Sequence, residues 1–222
     1  MLQAIIFDMD SVIVDTEFLE YDLQAQLIES IKEHNRTLTP LELAEVVGKG
    51  LSEISEILKK LSDSSLSLEE IKQRYFDFFK PLFNSVDYRS IFRADILKII
   101  EFAKQHHIEL AVASSSLLEH IQNILTECDI IQHFDFIVSG EQFKRSKPDP
   151  TIYRYTLEKL GVEAQSAVAI EDSFFGIQAA QAASIPVMAY EEKRMHIDQS
   201  HAKYCGKNML EILAIIKQLH AH

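Results

Sequence analysis

Asp8 and Asp10 stand two residues apart at the end of an apolar run, Leu2-Gln3-Ala4-Ile5-Ile6-Phe7. Removing two carboxylates from water is costly unless a cation or hydrogen bonds compensate, so the pair points to a metal-assisted site. Further polar residues close other apolar runs: Ser114, with Ser115 and Ser116, then Lys147, then Glu171 with Asp172. Acids in an oxygen-rich setting suit Mg²⁺, which takes one or two carboxylates together with phosphate and water. A lysine and a hydroxyl near a helix N-terminus suit a phosphoryl group. One carboxylate can then attack phosphorus while a second, two residues on, protonates the leaving group. That is covalent catalysis through an aspartyl-phosphate, with metal and cation stabilising the transferred charge.

Each group also has a plain structural reading. Ser114–Ser116 would cap the following helix, Lys147 before Pro148-Asp149-Pro150 would be a solvated loop lysine, and Glu171-Asp172-Ser173 would be an acidic helix cap. A fold that gathers all of them on one edge makes the chemical reading the stronger.

The chain supplies such a fold. Strands are expected at Ala4–Phe7, Leu110–Ala113, Phe136–Val138, Ala167–Ile170 and Pro186–Ala189. Helices are expected near Asp95–Gln105, Leu117–Glu127, Pro150–Leu160, Phe174–Ala183 and Met209–His220. Strands alternating with helical crossovers predict an α/β fold, a doubly wound parallel sheet whose strand ends share one edge. Between Glu17 and Phe83 the pattern is helical, with stripes Leu19/Leu23/Leu27/Ile31, Ile54/Ile57/Leu58/Leu61 and Ile71/Tyr75/Phe78/Phe79. Thr39-Pro40 reads as a cap and first turn. The expected organisation is a Rossmann-like core of residues 1–15 and 89–222 with a small inserted helical cap domain, 16–88.

Composition narrows the partners. The 222 residues are 47% hydrophobic with formal net charge −12, which argues against nucleic acid or anionic membranes. A small anionic substrate stays compatible, because a metal and local cations reverse the field in one pocket. No apolar run reaches the ~20 residues of a membrane span, and Met1-Leu2-Gln3 offers no basic leader, so a cytoplasmic protein is expected. Cys128 and Cys205 have neither disulfide nor metal spacing. The nine histidines are scattered, with His106-His107 ahead of a strand and His220 and His222 at the end. A monomer is the default.

Four motifs carry a resemblance: Phe7-Asp8-Met9-Asp10-Ser11-Val12-Ile13-Val14-Asp15-Thr16, Ala113-Ser114-Ser115-Ser116, Ser146-Lys147-Pro148-Asp149-Pro150 and Ile170-Glu171-Asp172-Ser173-Phe174-Phe175-Gly176-Ile177. In order and spacing the sequence resembles the haloacid dehalogenase superfamily, in its helical-cap branch, and within it β-phosphoglucomutase-like phosphatases. The resemblance covers nearly the whole length. It implies Asp8 as nucleophile and metal ligand, and Asp10 as general acid/base giving the metal its backbone carbonyl. It further implies Ser114, Ser115 and Lys147 as phosphate ligands, Asp172 and Glu171 as Mg²⁺ ligands or supports, and Thr16 at the hinge. The implied partner is a small phosphorylated metabolite.

Two departures qualify it. The family usually has glycine after the second acid, where this protein has Ser11; either the backbone angle is ordinary or the turn is strained. In the cap, Val47-Gly48-Lys49-Gly50-Leu51-Ser52-Glu53 resembles the substrate-reading loop. Lys49 is a candidate phosphate ligand there or a solvated charge, but Glu53 stands near the arginine of sugar-phosphate mutases and Glu20 at the place of their histidine. A Mg²⁺-dependent phosphatase is therefore the expectation. A phosphoglucomutase-like phosphotransferase and a weakened member that only binds a phosphometabolite are the alternatives. Dehalogenation would leave Asp10 and Asp172 without work.

Overall fold

A computed structural model of the protein describes residues 1–47, 49, 51–83 and 85–221, with the side chains at 17, 82 and 83 excepted. Gly48, Gly50 and His222 of the sequence reading lie outside the described residues. The strands are β1 (Ala4–Phe7), β2 (Glu109–Ser114), β3 (Phe136–Ser139), β4 (Ala167–Glu171), β5 (Val187–Tyr190) and β6 (Tyr204–Gly206). They form one sheet in the order β3-β2-β1-β4-β5-β6, every neighbouring pair parallel. The backbone winds from β1 to one edge, then returns to β4 on the other side of β1. That reversal leaves a crevice at the strand ends beside β1, where open α/β sheets bind ligands. β6 was not expected from sequence: its three residues are too few to show a period.

The helices are α1 (Glu17–Ile31), α2 (Pro40–Leu43), α3 (Leu51–Ser62), α4 (Leu68–Phe83), α5 (Ile96–Gln105), α6 (Leu118–Glu127), α7 (Thr151–Leu160), α8 (Phe174–Ala182) and α9 (Met209–Ala221). Thr39 and Glu42 close a reciprocal capping box at the start of α2, with Pro40 in its first turn. Strand residues alternate between two unlike faces. Ile5, Phe7, Leu110, Val112, Val168 and Ile170 pack under α5, α6 and α9. Ala4, Ala111, Ala113, Ala167 and Ala169 share the other face with α7 and α8. Small side chains on that second face let a large one enter from above. Tyr153 of α7 takes that space and is fully buried.

Helices α1, α3 and α4 hold an apolar cluster of their own, including Leu27, Leu58, Ile71 and Phe79, with Tyr75 stacked on Phe79 at 4.1 Å. A separate patch ties this helical segment to the loop after β5. There Met195 is fully buried against Val46 and Val47, with Tyr21 and Ile57 alongside. Replacing Met195 with alanine is expected to cost about 2 kcal/mol, the lower end for a buried large-to-small change. Urea denaturation measures it, and a loss under about 0.5 kcal/mol would show that the patch does not hold the loop.

Candidate active site

The parallel register fixes the centre of the site. Phe7 pairs with Val112 on one side and Ile170 on the other, so Asp8 follows level with Ala113 and Glu171. The Asp8 N–H donates to the Ile170 carbonyl at 2.9 Å, carrying the strand direction one residue further. Glu171 and Asp172, from the end of β4, complete a buried acidic group with Asp8 whose candidate ligand oxygens all lie within 4.8 Å of one another.

Lys147 enters this group from the loop before α7. Its ammonium donates to Asp8 Oδ1 at 2.5 Å, Glu171 Oε1 at 2.7 Å and the Ala113 carbonyl at 3.0 Å. Those three bonds use every proton it has, and the side chain is 2% exposed; this is not a solvated loop lysine. Burial works against its charge, but Asp8 and Glu171 outweigh burial and hold the ammonium well above the ordinary lysine range. Burial pushes Asp8 upward, with Lys147 opposing and Glu171 and Asp10 adding to the rise.

Glu171 is locked from several sides. The Tyr153 hydroxyl donates to its Oε1, and the Ser173 hydroxyl lies 3.4 Å from its Oε2. Ser173 also caps α8, accepting the Gly176 N–H at 3.0 Å, so the cap of that helix is the serine and not the acids. Gly176 is required here for space: a Cβ on it would collide with the Glu171 carboxylate.

Asp10 is held differently. Its Oδ1 accepts the Thr16 hydroxyl, and its Oδ2 accepts Ser116 Oγ at 2.7 Å and lies 3.5 Å from Ser114 Oγ. Its carboxylate is not one of the three clustered acids. Ser114, expected as a phosphate ligand, is fully buried; its hydroxyl instead accepts the Ser116 N–H at 3.0 Å and faces Asp10. The three serines do not cap α6, whose N-cap residue is Leu117, with no side-chain hydrogen bond to the helix.

Between the acids' strand and Thr16, Ser11 has φ 56° and is fully buried. The ordinary-angle reading is thus overturned: the turn is left-handed, a conformation that costs an L-residue on the order of 1–2 kcal/mol.

Asp8, Asp10, Lys49, Lys147, Ser115 and Ser116 line a small cavity of about 30 Å³, room for a water or two. Lys49 is half-buried over the Phe175 ring at 3.4 Å and reaches the Lys147 carbonyl at 3.4 Å, so it faces the site and not solvent. Burial lowers its pKa, with Glu53 opposing. A larger cleft of about 610 Å³ adjoins, lined by Glu20, Glu53, Phe76, Leu117 and Arg145 among others. Glu53 accepts the Ser146 hydroxyl, joining α3 to the residue before Lys147. Sequence reasoning missed Tyr153, Ser116 as a partner of Asp10, and Gln24, which is buried at the cavity wall.

A family model described as haloacid dehalogenase-like hydrolase matches residues 5–190. The chain belongs to this family. A phosphorylated carbohydrates phosphatase of Thermotoga maritima is 33% identical over 184 residues, 83% of this chain and 82% of that protein. Hexitol phosphatase B of Escherichia coli K12 is 28% identical over 185 residues, 81% of this chain and 79% of its own. The fold is shared with β-phosphoglucomutase from Clostridium difficile, at TM-score 0.83 and 21% identity over 100% of this chain and 98% of that one.

In this haloacid dehalogenase-like hydrolase the buried charges set two expectations. Lys147→Met leaves Asp8 and Glu171 unpaired in the interior, which should cost about 3–5 kcal/mol at neutral pH with chelator present. Losing the ammonium pushes the Asp8 carboxyl higher still, so the folded state holds a proton that the unfolded state gives up. Asp8 is already raised with Lys147 present, so the penalty grows as pH rises above that raised range and is smaller within the ordinary carboxylate range; a pH-independent loss in urea titrations would contradict this. Gly176→Ala drives a methyl into a carboxylate that Lys147 and Tyr153 keep from moving. It should destabilise by about 1–3 kcal/mol in thermal denaturation.

Proposed function

We propose that the protein is a Mg²⁺-dependent phosphatase of a small, sugar-phosphate-like metabolite, working through an aspartyl-phosphate on Asp8. The observation that carries the reading is Asp8 held at the end of the central strand, against Lys147 and within the acidic group, with Asp10 two residues on. The donor set of Asp8, Glu171 and Asp172 is all oxygen and buried, the ligand chemistry Mg²⁺ takes. Asp8, Asp172 and Glu171, with the Asp10 backbone carbonyl, would hold the ion, which when bound offsets charge on the transferring phosphoryl group.

A carboxylate oxygen of Asp8 forms a bond to phosphorus as the bond from phosphorus to the leaving oxygen breaks. Asp10 gives its proton to that oxygen. A water then attacks phosphorus, returns a proton to Asp10, and the Asp8–phosphorus bond breaks to release phosphate. Lys147, Ser115 and Lys49 lie around the cavity where the phosphoryl oxygens would sit, with Ser114 behind them orienting Asp10 and Ser116. The helical segment 16–88 would act as a cap over the cleft, excluding water from the first step.

The relatives support the substrate class: the Thermotoga protein's name is a phosphatase of phosphorylated carbohydrates, and the Escherichia coli protein's a hexitol phosphatase. Glu20 and Glu53 line the larger cleft, and acids there oppose a second phosphate, which disfavours the mutase reading. A panel of sugar and polyol phosphates assayed for free phosphate with Mg²⁺ tests the proposal. Asp8→Asn should lower turnover at least about a thousandfold, and chelation should abolish it reversibly. Asp10→Asn should impair alkyl esters by about 10²–10⁴-fold and the first step with aryl esters less, because a phenolate leaves unaided. Wild-type protein that releases no phosphate across the panel, or converts a hexose 1-phosphate without releasing any, would sink the reading.

A further inference from the structure

Ser11 stands next to the reacting acids in a conformation that its own side chain does nothing to maintain. Its φ of 56° is left-handed, and its hydroxyl is buried with no hydrogen-bond partner. Asparagine or aspartate in such a place can bond back to the local backbone, and glycine needs no support. Ser11 has neither advantage, so its conformation has to be imposed through its backbone.

Within the loop the Val12, Ile13 and Val14 N–H groups turn toward the Met9 carbonyl, and Arg93 adds the constraint on Ser11 itself. Its Nε–H donates to the Ser11 carbonyl at 3.0 Å, while Nη2 donates to Asp15 Oδ1 at 3.0 Å and Nη1 to the Tyr190 hydroxyl at 2.8 Å. The rigid guanidinium fork thus grips both ends of the loop that begins with Asp10 and ends with Thr16. The backbone fixes the grip: Arg93 N–H donates to the Ile13 carbonyl and Asp15 N–H to the Ile91 carbonyl, both at 3.0 Å. Val14 pairs with Phe92 antiparallel, and with Asp10. Beneath, the Tyr190 ring lies 4.1 Å from the guanidinium, and Arg194 holds Asp15 from the far side at 2.7 Å. The loop then closes on itself where the Thr16 hydroxyl meets Asp10.

We infer that Arg93 is a positioning residue: it holds Ser11 in the left-handed conformation and thereby aims Asp10 at the leaving-group oxygen. The inference rests on the proposed role of Asp10. Without the fork, Ser11 relaxes toward negative φ, which rotates the peptide joining it to Asp10. The phosphate-holding groups at Lys147 stay where they are. The effect belongs in proton transfer and not in binding.

Five proteins test this: wild type, Ser11→Gly, Arg93→Lys, Arg93→Ala, and Arg93→Ala combined with Ser11→Gly. Arg93→Lys keeps the charge but lacks the rigid planar fork that holds Ser11, Asp15 and Tyr190 at fixed angles. Both single variants at Arg93 should lower kcat by about ten- to a hundredfold on alkyl phosphates, the scale of a small displacement of a reacting group. KM should stay within about threefold, and aryl phosphates should lose less. Ser11→Gly should restore most of the lost kcat, since glycine holds a positive φ unaided. A double-mutant cycle in urea over positions 11 and 93 reads the same coupling without any assay of activity. Independent, additive stability effects, or an Arg93→Ala kcat that glycine at 11 does not raise, would overturn the inference. If wild type proves inactive on the whole panel yet the stability cycle shows coupling, the clamp on Ser11 stands and the role of Asp10 falls. If Arg93→Ala does not fold, Arg93→Lys with and without Ser11→Gly decides the same question.

Discussion

Everything else in the site depends on one buried ammonium. Lys147 is placed where the interior gives it no water, and its three protons find Asp8, Glu171 and a backbone carbonyl. Two carboxylates at the end of a central sheet would each be strongly destabilising alone; with the ammonium between them they become partners. The surrounding elements serve this arrangement. The alanine-rich sheet face admits Tyr153, whose hydroxyl takes Glu171. Ser173 starts α8 so that Gly176, and nothing larger, passes beside the Glu171 carboxylate. A divalent ion entering among Asp8, Glu171 and Asp172 would join a set already organised by a cation of the protein itself.

The second acid is tied to the rest of the molecule through the segment that leaves for the helices. Thr16, immediately before α1, bonds Asp10 directly, and Asp15 is shared by Arg93 and Arg194. Arg194 also stands 4.6 Å from the Phe18 ring on α1, and its neighbour Met195 is buried against Val46 and Val47. The loop after β5 therefore touches both the helical segment and the loop that carries Asp10.

What could be read from sequence follows the range of the interactions involved. The strands β1 to β5 and the long helices announce themselves in local apolar period, and strand-end polarity points to Asp8, Glu171 and Asp172; Lys147, read as another strand end, instead comes from the loop between β3 and α7. β6, at three residues, leaves no such trace. The partners of the acids were also hidden: Tyr153 looks like one more aromatic on a helix, and Arg93 like a loop cation, until the register is known. Ser114 shows what spacing leaves open. Spacing places it at the right strand end, but only the turn of the backbone through Ser116 decides that its hydroxyl faces Asp10. Ser11 is the reverse case, a single residue type that hinted at strain and whose left-handed angle needed the structure to be seen.

The contrast between the two acids' surroundings gives the proposed division of labour a physical basis. Asp8 is paired with an ammonium, a donor that cannot accept, and that charge opposes the rise which burial imposes on the carboxyl. Among the described residues the hydrogen-bond partners of the Asp10 carboxylate are hydroxyls, from Thr16, Ser116 and Ser114. A hydroxyl both donates and accepts, so rotation about its own Cβ–Oγ bond serves the ionised and the protonated carboxyl alike. Asp10 can therefore give up a proton and take one back without leaving a neighbour unsatisfied, which the proposed acid/base must do once each per turnover. Two carboxylates one residue from being adjacent are driven to separate tasks by the company each keeps: a charge partner for the nucleophile, reversible hydroxyls for the proton carrier.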